Sequence, residues 1–210
     1  MKALLLLISI LSAMYFFQPL WLVKIFSNIW SYSDQVDGVQ VFTFDECGAP
    51  CSNATALIRQ KNLAFELINV STSAENAQRF RRLGVASTMP VVLVGSRRVV
   101  GYERNRLEEA LAEVYGLSVL SPALRAVMAD HFDTNGEPRV VMYGAAWCPY
   151  CKKARKYLQS SGIDFIEYDV ERDSNAARRY QKIKSSGYPL IYVGTRRIEG
   201  WNQSALEQAL

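Results

Sequence analysis

One stretch of the chain recurs after about a hundred residues, which restricts the fold to two copies of one small unit. Pro90-Val-Val-Leu-Val-Gly-Ser-Arg97-Arg98-Val-Val-Gly101-Tyr102 lies over Pro189-Leu-Ile-Tyr-Val-Gly-Thr-Arg196-Arg197-Ile-Glu-Gly200-Trp201, and both copies run on into Leu-Glu-x-Ala-Leu. Upstream, Leu63-Ala-Phe-Glu-Leu-Ile-Asn-Val70 matches Ile163-Asp-Phe-Ile-Glu-Tyr-Asp-Val170, each a strand-like run followed by a polar, helix-starting stretch. Each copy is the size of a small domain, so the chain is long enough for two compact cores. Periodicity in each copy reads strand, helix, strand, helix, strand, strand, helix. In the second copy these fall near 139–143, 149–161, 164–169, 173–184, 189–194, 196–198 and 202–209, and the first copy follows the same order over about 39–115. Between them, Ser121-Pro122, Asp133-Thr-Asn-Gly136 and Pro138 are turn formers around a short apolar, helix-like piece at 123–128.

The chemistry concentrates in Trp147-Cys148-Pro149-Tyr150-Cys151. Val140 to Tyr143 reads as a short buried strand. The stretch from Lys152 to Gln159 has a helical pattern, with Ala154, Tyr157 and Leu158 on one side. Cys148 therefore falls at a strand-to-helix junction, and Pro149 suits the first helical position, where its missing N–H costs nothing. Free amides and the helix dipole there favour a negative sulfur, the nucleophilic form of cysteine. Cys151, one turn along, lies beneath it and is placed to resolve a mixed disulfide. A Cys-x-x-Cys pair is also half of a zinc site, but the other half is missing: His131 is the single histidine, and Cys47 and Cys51 belong to the other copy.

Cys148-Pro-Tyr-Cys151, followed by Gly187-Tyr188-Pro189 and then Gly200, resembles a dithiol glutaredoxin of the thioredoxin-fold superfamily. The resemblance implies an α/β fold with two tandem thioredoxin-like (glutaredoxin) domains, each a four-stranded mixed sheet flanked by helices. The expected division is an anchor at 1–30, a first domain at 37–115, a linker at 116–137 and a second domain at 138–210. It further implies a cis Pro189 against the active-site disulfide, and a substrate groove formed with Trp147, Tyr150, Tyr188 and Gly200. In the first copy Thr88-Met89-Pro90 matches the family's Thr-Val-Pro signature, but Cys47-Gly-Ala-Pro-Cys51 has three residues between the thiols. In a continuous helix these sulfurs would miss the attacker and resolver positions, although a loop adjustment would let them join. Cys47 and Cys51 are thus a second redox centre or a structural disulfide.

The implied activity is thiol-disulfide oxidoreduction through Cys148 and Cys151, on protein disulfides or glutathionylated proteins. Glutathione is a possible co-substrate, and no metal is expected. The family's Gly-Gly pair is replaced by Val100-Gly101 and Glu199-Gly200, and Glu199 would repel the peptide's carboxylates. Gly101-Tyr102 and Gly200-Trp201 instead resemble donors served by a thioredoxin-type reductant. Two further readings stand beside this one: an iron–sulfur-binding module, or a first repeat that only docks clients.

Residues 3–23 are almost entirely apolar and, at about 1.5 Å per residue, span roughly 30 Å, one hydrocarbon core. Trp21, Trp30 and Tyr32 fit an interfacial belt. A single-pass membrane anchor is expected; in a bacterial cell it places both domains on the periplasmic side of the inner membrane. A cleavable signal is the competing reading, and Ser12-Ala13-Met14 is a poor cleavage site. The net charge of +4 is modest and no phosphate-binding loop is present, which argues against nucleic acid as a partner. Arg97-Arg98 and Arg196-Arg197 are expected to be solvated hairpin edges that discourage strand pairing. Arg81-Arg82 and Arg178-Arg179 are either solvated helix faces or holders of a glutathione carboxylate.

Overall fold

The computed structural model describes residues 36–85 and 88–210. The expected anchor at 1–30 lies outside the described residues, among which no helix is long and apolar enough to cross a membrane. The first repeat runs β1 (Val36–Thr43), α1 (Ala49–Gln60), β2 (Glu66–Asn69), α2 (Ala74–Arg82), β3 (Val91–Gly95), β4 (Arg97–Val100) and α3 (Arg104–Tyr115). A short connecting helix, α4 (Pro122–Met128), leads to the second repeat. That repeat comprises β5 (Val140–Gly144), α5 (Pro149–Ser160), β6 (Phe165–Asp169), α6 (Ser174–Ile183), β7 (Leu190–Val193), β8 (Arg196–Glu199) and α7 (Gln203–Glu207). The sheets have orders β2-β1-β3-β4 and β6-β5-β7-β8. In each, the first two strands pair parallel and the remaining pairs are antiparallel. These mixed four-stranded sheets with flanking helices fit two thioredoxin-like domains.

Alternation along the strands sets the layers, because successive side chains leave opposite faces. In the second sheet Val140, Met142, Ile191, Val193 and Ile198 pack with Ala154 and Leu158 of α5 and Leu206 of α7. The opposite face, with Val141, Tyr143, Leu190 and Tyr192, joins one apolar cluster with Val92, Val94 and Val99 of the first sheet. The element between them is α3: Leu107, Ala110 and Leu111 are all buried in that cluster. The last helix of the first repeat therefore contributes to the core of both.

Polar groups tie the same helix to the second repeat. Asn105 Nδ2 donates to the carbonyls of Lys182 and Ile183 at 2.7 and 3.0 Å, satisfying the end of α6, where helical carbonyls lack partners. Glu109 is 2% exposed, accepts a hydrogen bond from the Tyr192 hydroxyl at 2.8 Å and faces Arg197 Nη1 at 3.3 Å. Burial pushes the Glu109 carboxyl up to about 7, against the opposing pull of Arg197. Arg97 and Arg196 converge on Glu113 at 3.1 and 3.3 Å.

The expectation of solvated hairpin arginines is thereby corrected. Arg197 is buried, and the others face partners on α3 or, for Arg98 Nη1, the carbonyl of Leu83. The reason is tertiary: α3 lies over both hairpins and supplies the carboxylates that permit these cations to leave water.

The connecting segment also enters the core. Leu124, Val127 and Met128 of α4 are buried, and His131 is fully so, with Nδ1 3.0 Å from the Gly194 carbonyl and Nε2 3.0 Å from the Tyr143 hydroxyl. Burial pushes its imidazole down to about 4. In the unfolded chain a histidine takes its proton near 6.5, so stability present above that pH is lost as pH falls toward 4. His131→Phe removes this slope. By chemical denaturation, the advantage of the wild type over the variant is expected to shrink by about 3 kcal/mol between pH 7 and pH 4. Parallel pH curves for the two proteins would contradict this linkage.

Candidate active site

Each repeat presents its cysteines where the first strand gives way to the first helix. In the second repeat Cys148 is the N-cap of α5, and its Sγ accepts the Cys151 backbone N–H at 3.1 Å. Pro149 occupies the first helical position, where no N–H is required. The sulfur thus takes the place usually held by a Ser, Thr, Asp or Asn oxygen and receives an otherwise orphaned amide. Cys151 lies below it with no exposed surface. Burial first, and then the Cys148 sulfur as hydrogen-bond partner, push the Cys151 thiol up to about 12. Two sulfurs three residues apart therefore have unlike environments: one caps a helix, the other sits protonated in the core.

Room for the lower sulfur comes from Gly144, where a Cβ would stand 2.9 Å from Cys151 Sγ. Around the upper one, Tyr188 packs against Ala145, Cys148 and Cys151. The Tyr188–Pro189 bond is cis, and the Pro189 carbonyl accepts the Gly200 N–H at 2.8 Å. Trp147 and Tyr150 are 62% and 55% exposed, whereas Cys148 is 3% exposed, so an aromatic rim surrounds a recessed sulfur. Trp147 Nε1 donates to Glu171 at 2.7 Å, and its ring meets Tyr188 edge-on with centroids 6.4 Å apart.

In the first repeat Cys47 and Cys51 form a disulfide with a Cα separation of 5.7 Å. Counted from the strand, Cys47 corresponds to Cys148: Thr43 and Gly144 accept matching N–H groups from Val70 and Val170, and each cysteine lies four residues further on. Counted back from the helix, Cys51 corresponds to Cys151, since both are the third residue of their helices. The additional residue is Gly48, which takes the N-cap at φ 65°, a left-handed conformation suited to glycine, and offers no side-chain cap. This extra residue is the loop adjustment that lets the two sulfurs meet. Thr43 stands where the second repeat has Gly144, the position that makes room for Cys151. Met89–Pro90 is cis, the Pro90 carbonyl accepts the Gly101 N–H at 2.8 Å, and Thr88 approaches Gly101.

The arginine pairs divide. Arg81 and Arg82 are exposed, and Arg178 bonds Asn175. Arg179 is paired with Asp130 and lies over the Tyr168 ring, an inward structural contact. Sequence reasoning passed over Gly144, whose need appears only with Cys151 in three dimensions. It also passed over Arg106, which pairs with Glu199 at 2.5 Å across a separation of 93 residues.

Gly144→Ala tests the packing under the sulfurs. A methyl in that place is expected to cost about 1–3 kcal/mol, as overpacking of a filled core does, and to slow closure of a Cys148–Cys151 disulfide. Thermal unfolding and oxidation kinetics check both; an unchanged melting temperature would show that Cys151 has more room than this.

The glutaredoxin family model matches residues 39–99 and 140–198, together more than half of the chain. An uncharacterized glutaredoxin-like 8.6 kDa protein of Clostridium pasteurianum is 31% identical over 72 residues, covering 34% of this chain and 96% of that protein. The glutaredoxin of Pseudomonas aeruginosa is 38% identical over 74 residues, covering 34% of this chain and 88% of its own length. Glutaredoxin 3 of Escherichia coli is 39% identical over 64 residues, covering 29% of this chain and 75% of its own. The repeat, the paired mixed sheets, the helix-capping thiol and these matches agree: the chain belongs to the glutaredoxin family.

Proposed function

We propose that this chain is a membrane-tethered, glutaredoxin-like thiol-disulfide oxidoreductase whose turnover runs through Cys148 and Cys151. The carrying observation is the Cys151 amide donated to the Cys148 sulfur above a buried second thiol. Cys148 Sγ attacks one sulfur of a protein disulfide or glutathione mixed disulfide; a new S–S bond forms and the other sulfur leaves as a thiolate. Capture also engages the Cys148 sulfur, whose hydrogen bond is, after burial, a cause that holds the proton on Cys151. Cys151 then loses its proton and attacks Cys148 Sγ, closing the protein disulfide and releasing the second thiolate. The balance is one substrate disulfide reduced to two thiols and one protein dithiol oxidised. Glutathione or a thioredoxin-type reductant returns the protein to the dithiol.

Trp147, Tyr150, Tyr188, Pro189 and Gly200 form the groove for the substrate backbone, and Thr88, Met89 and Pro90 are their counterparts in the first repeat. There Cys47 and Cys51 rest as a disulfide without a capping sulfur, so this pair does not set the rate. The apolar run at 3–23 supports the tether, with the catalytic repeats on the periplasmic side if the cell is bacterial.

Cys148→Ser is expected to lower reduction of a glutathionylated peptide to background. The Cys47→Ser/Cys51→Ser double variant is expected to stay within about two-fold of the wild type, since its capping sulfur is untouched. Steady-state kinetics of the purified chain measure both; substantial turnover in Cys148→Ser would assign the activity elsewhere.

A further inference from the structure

The last strand of the second repeat ends on an exposed carboxylate, Glu199, that is paired with a cation from the first repeat. Register sets Glu199 opposite Leu190, and the Gly200 N–H on the Pro189 carbonyl holds the end of β8 beside the residue that follows Tyr188. Tyr188 in turn packs on Cys148. The carboxylate-bearing end of β8 is thus one strand pairing from the Tyr188–Pro189 segment that packs on Cys148. Glutathione carries two carboxylates and one ammonium, and an unpaired Glu199 would oppose its approach.

Glu199 is paired twice. Arg197 Nε reaches it at 3.0 Å from the same strand, but that side chain is 5% exposed and is also engaged with Glu109. Arg106 Nη2 reaches it at 2.5 Å from α3 of the first repeat, with both partners open to solvent at 47% and 43%. A cleft of about 320 Å³ opens at this point between the repeats, its walls including Val100, Arg106 and Glu109 from the first and Arg197 and Glu199 from the second. The N-cap Glu103, which accepts the Asn105 and Arg106 amides, fixes the start of the helix that carries Arg106.

We infer that Arg106 is a specificity-determining residue for the second site: the first repeat supplies the cation that admits disulfides with anionic partners, glutathione mixed disulfides among them. The inference rests on the reading of Cys148 and Cys151 as the redox pair. Charges at a rim act mainly on association and its salt dependence, so the effect belongs to encounter and not to the sulfur chemistry.

The test compares two probes on one peptide, its cysteine joined either to glutathione or to 2-mercaptoethanol, whose adduct is uncharged. Pre-reduced full-length protein reacts in a single turnover, so no external reductant enters: the protein dithiol becomes a disulfide and the probe disulfide becomes two thiols. The ratio of the second-order rate constants, glutathione adduct over mercaptoethanol adduct, is expected to fall about five-fold in Arg106→Ala at low salt. It is expected to recover in Arg106→Ala/Glu199→Gln, and the wild-type and variant ratios should converge as salt is raised. An unchanged ratio in Arg106→Ala, or no recovery in the double variant, overturns the inference while leaving the redox pair in place. A wild type that reduces neither probe overturns the underlying reading instead.

Discussion

The amide of Cys151 donated to the sulfur of Cys148 is the contact on which the proposed chemistry of this molecule depends. A helix start leaves amides without partners, and the Cys148 sulfur at the N-cap accepts one of them. The same helical turn places Cys151 inward, where burial keeps its proton on. One local geometry thus gives the two thiols unlike surroundings, the difference on which the proposed attacker and resolver roles rest. In the first repeat Gly48 holds the cap, the sulfur that should occupy it is displaced outward by one residue, and the pair closes on itself.

A second constraint explains why the two repeats act as a single body. The face of the second sheet that carries Tyr143 and Tyr192 shares its apolar cluster with α6 of its own repeat and with α3 and α4. Because α3 belongs to the first repeat and contacts both sheets, its carboxylates Glu109 and Glu113 can neutralise arginines from both hairpins. Such buried pairs are costly to break singly, since the survivor is left as an uncompensated charge. Duplication has therefore produced division of labour: one copy keeps the capping thiol, while the other provides packing, charge and a wall of the shared cleft.

Much of this was legible in the sequence, for reasons that are local. The strand and helix limits of the second repeat agree with the periodicity to within a few residues, as in α5 at Pro149–Ser160 against an expected 149–161, because apolar spacing and Pro149 are read along the chain. The duplication and Cys-Pro-Tyr-Cys were equally open to view. The pairing of Arg196 and Arg197 is not legible locally because their partners, Glu113 and Glu109, lie more than 80 residues away in sequence. The fate of Cys47 and Cys51 depended on a Cα separation that spacing does not fix. The Glu199 problem was visible but its remedy was not, since Arg106 comes from the other copy.

The central claim, that the capping sulfur makes the second repeat the reactive one, is tested most directly with both resolving thiols removed. In Cys51→Ser/Cys151→Ser protein, Cys47 and Cys148 each remain able to hold a captured group. Offered limiting glutathione disulfide, quenched in acid and mapped by mass spectrometry, this protein should carry the early adduct on Cys148 with Cys47 unmodified. Adduct appearing on Cys47 as fast as on Cys148 would contradict the account.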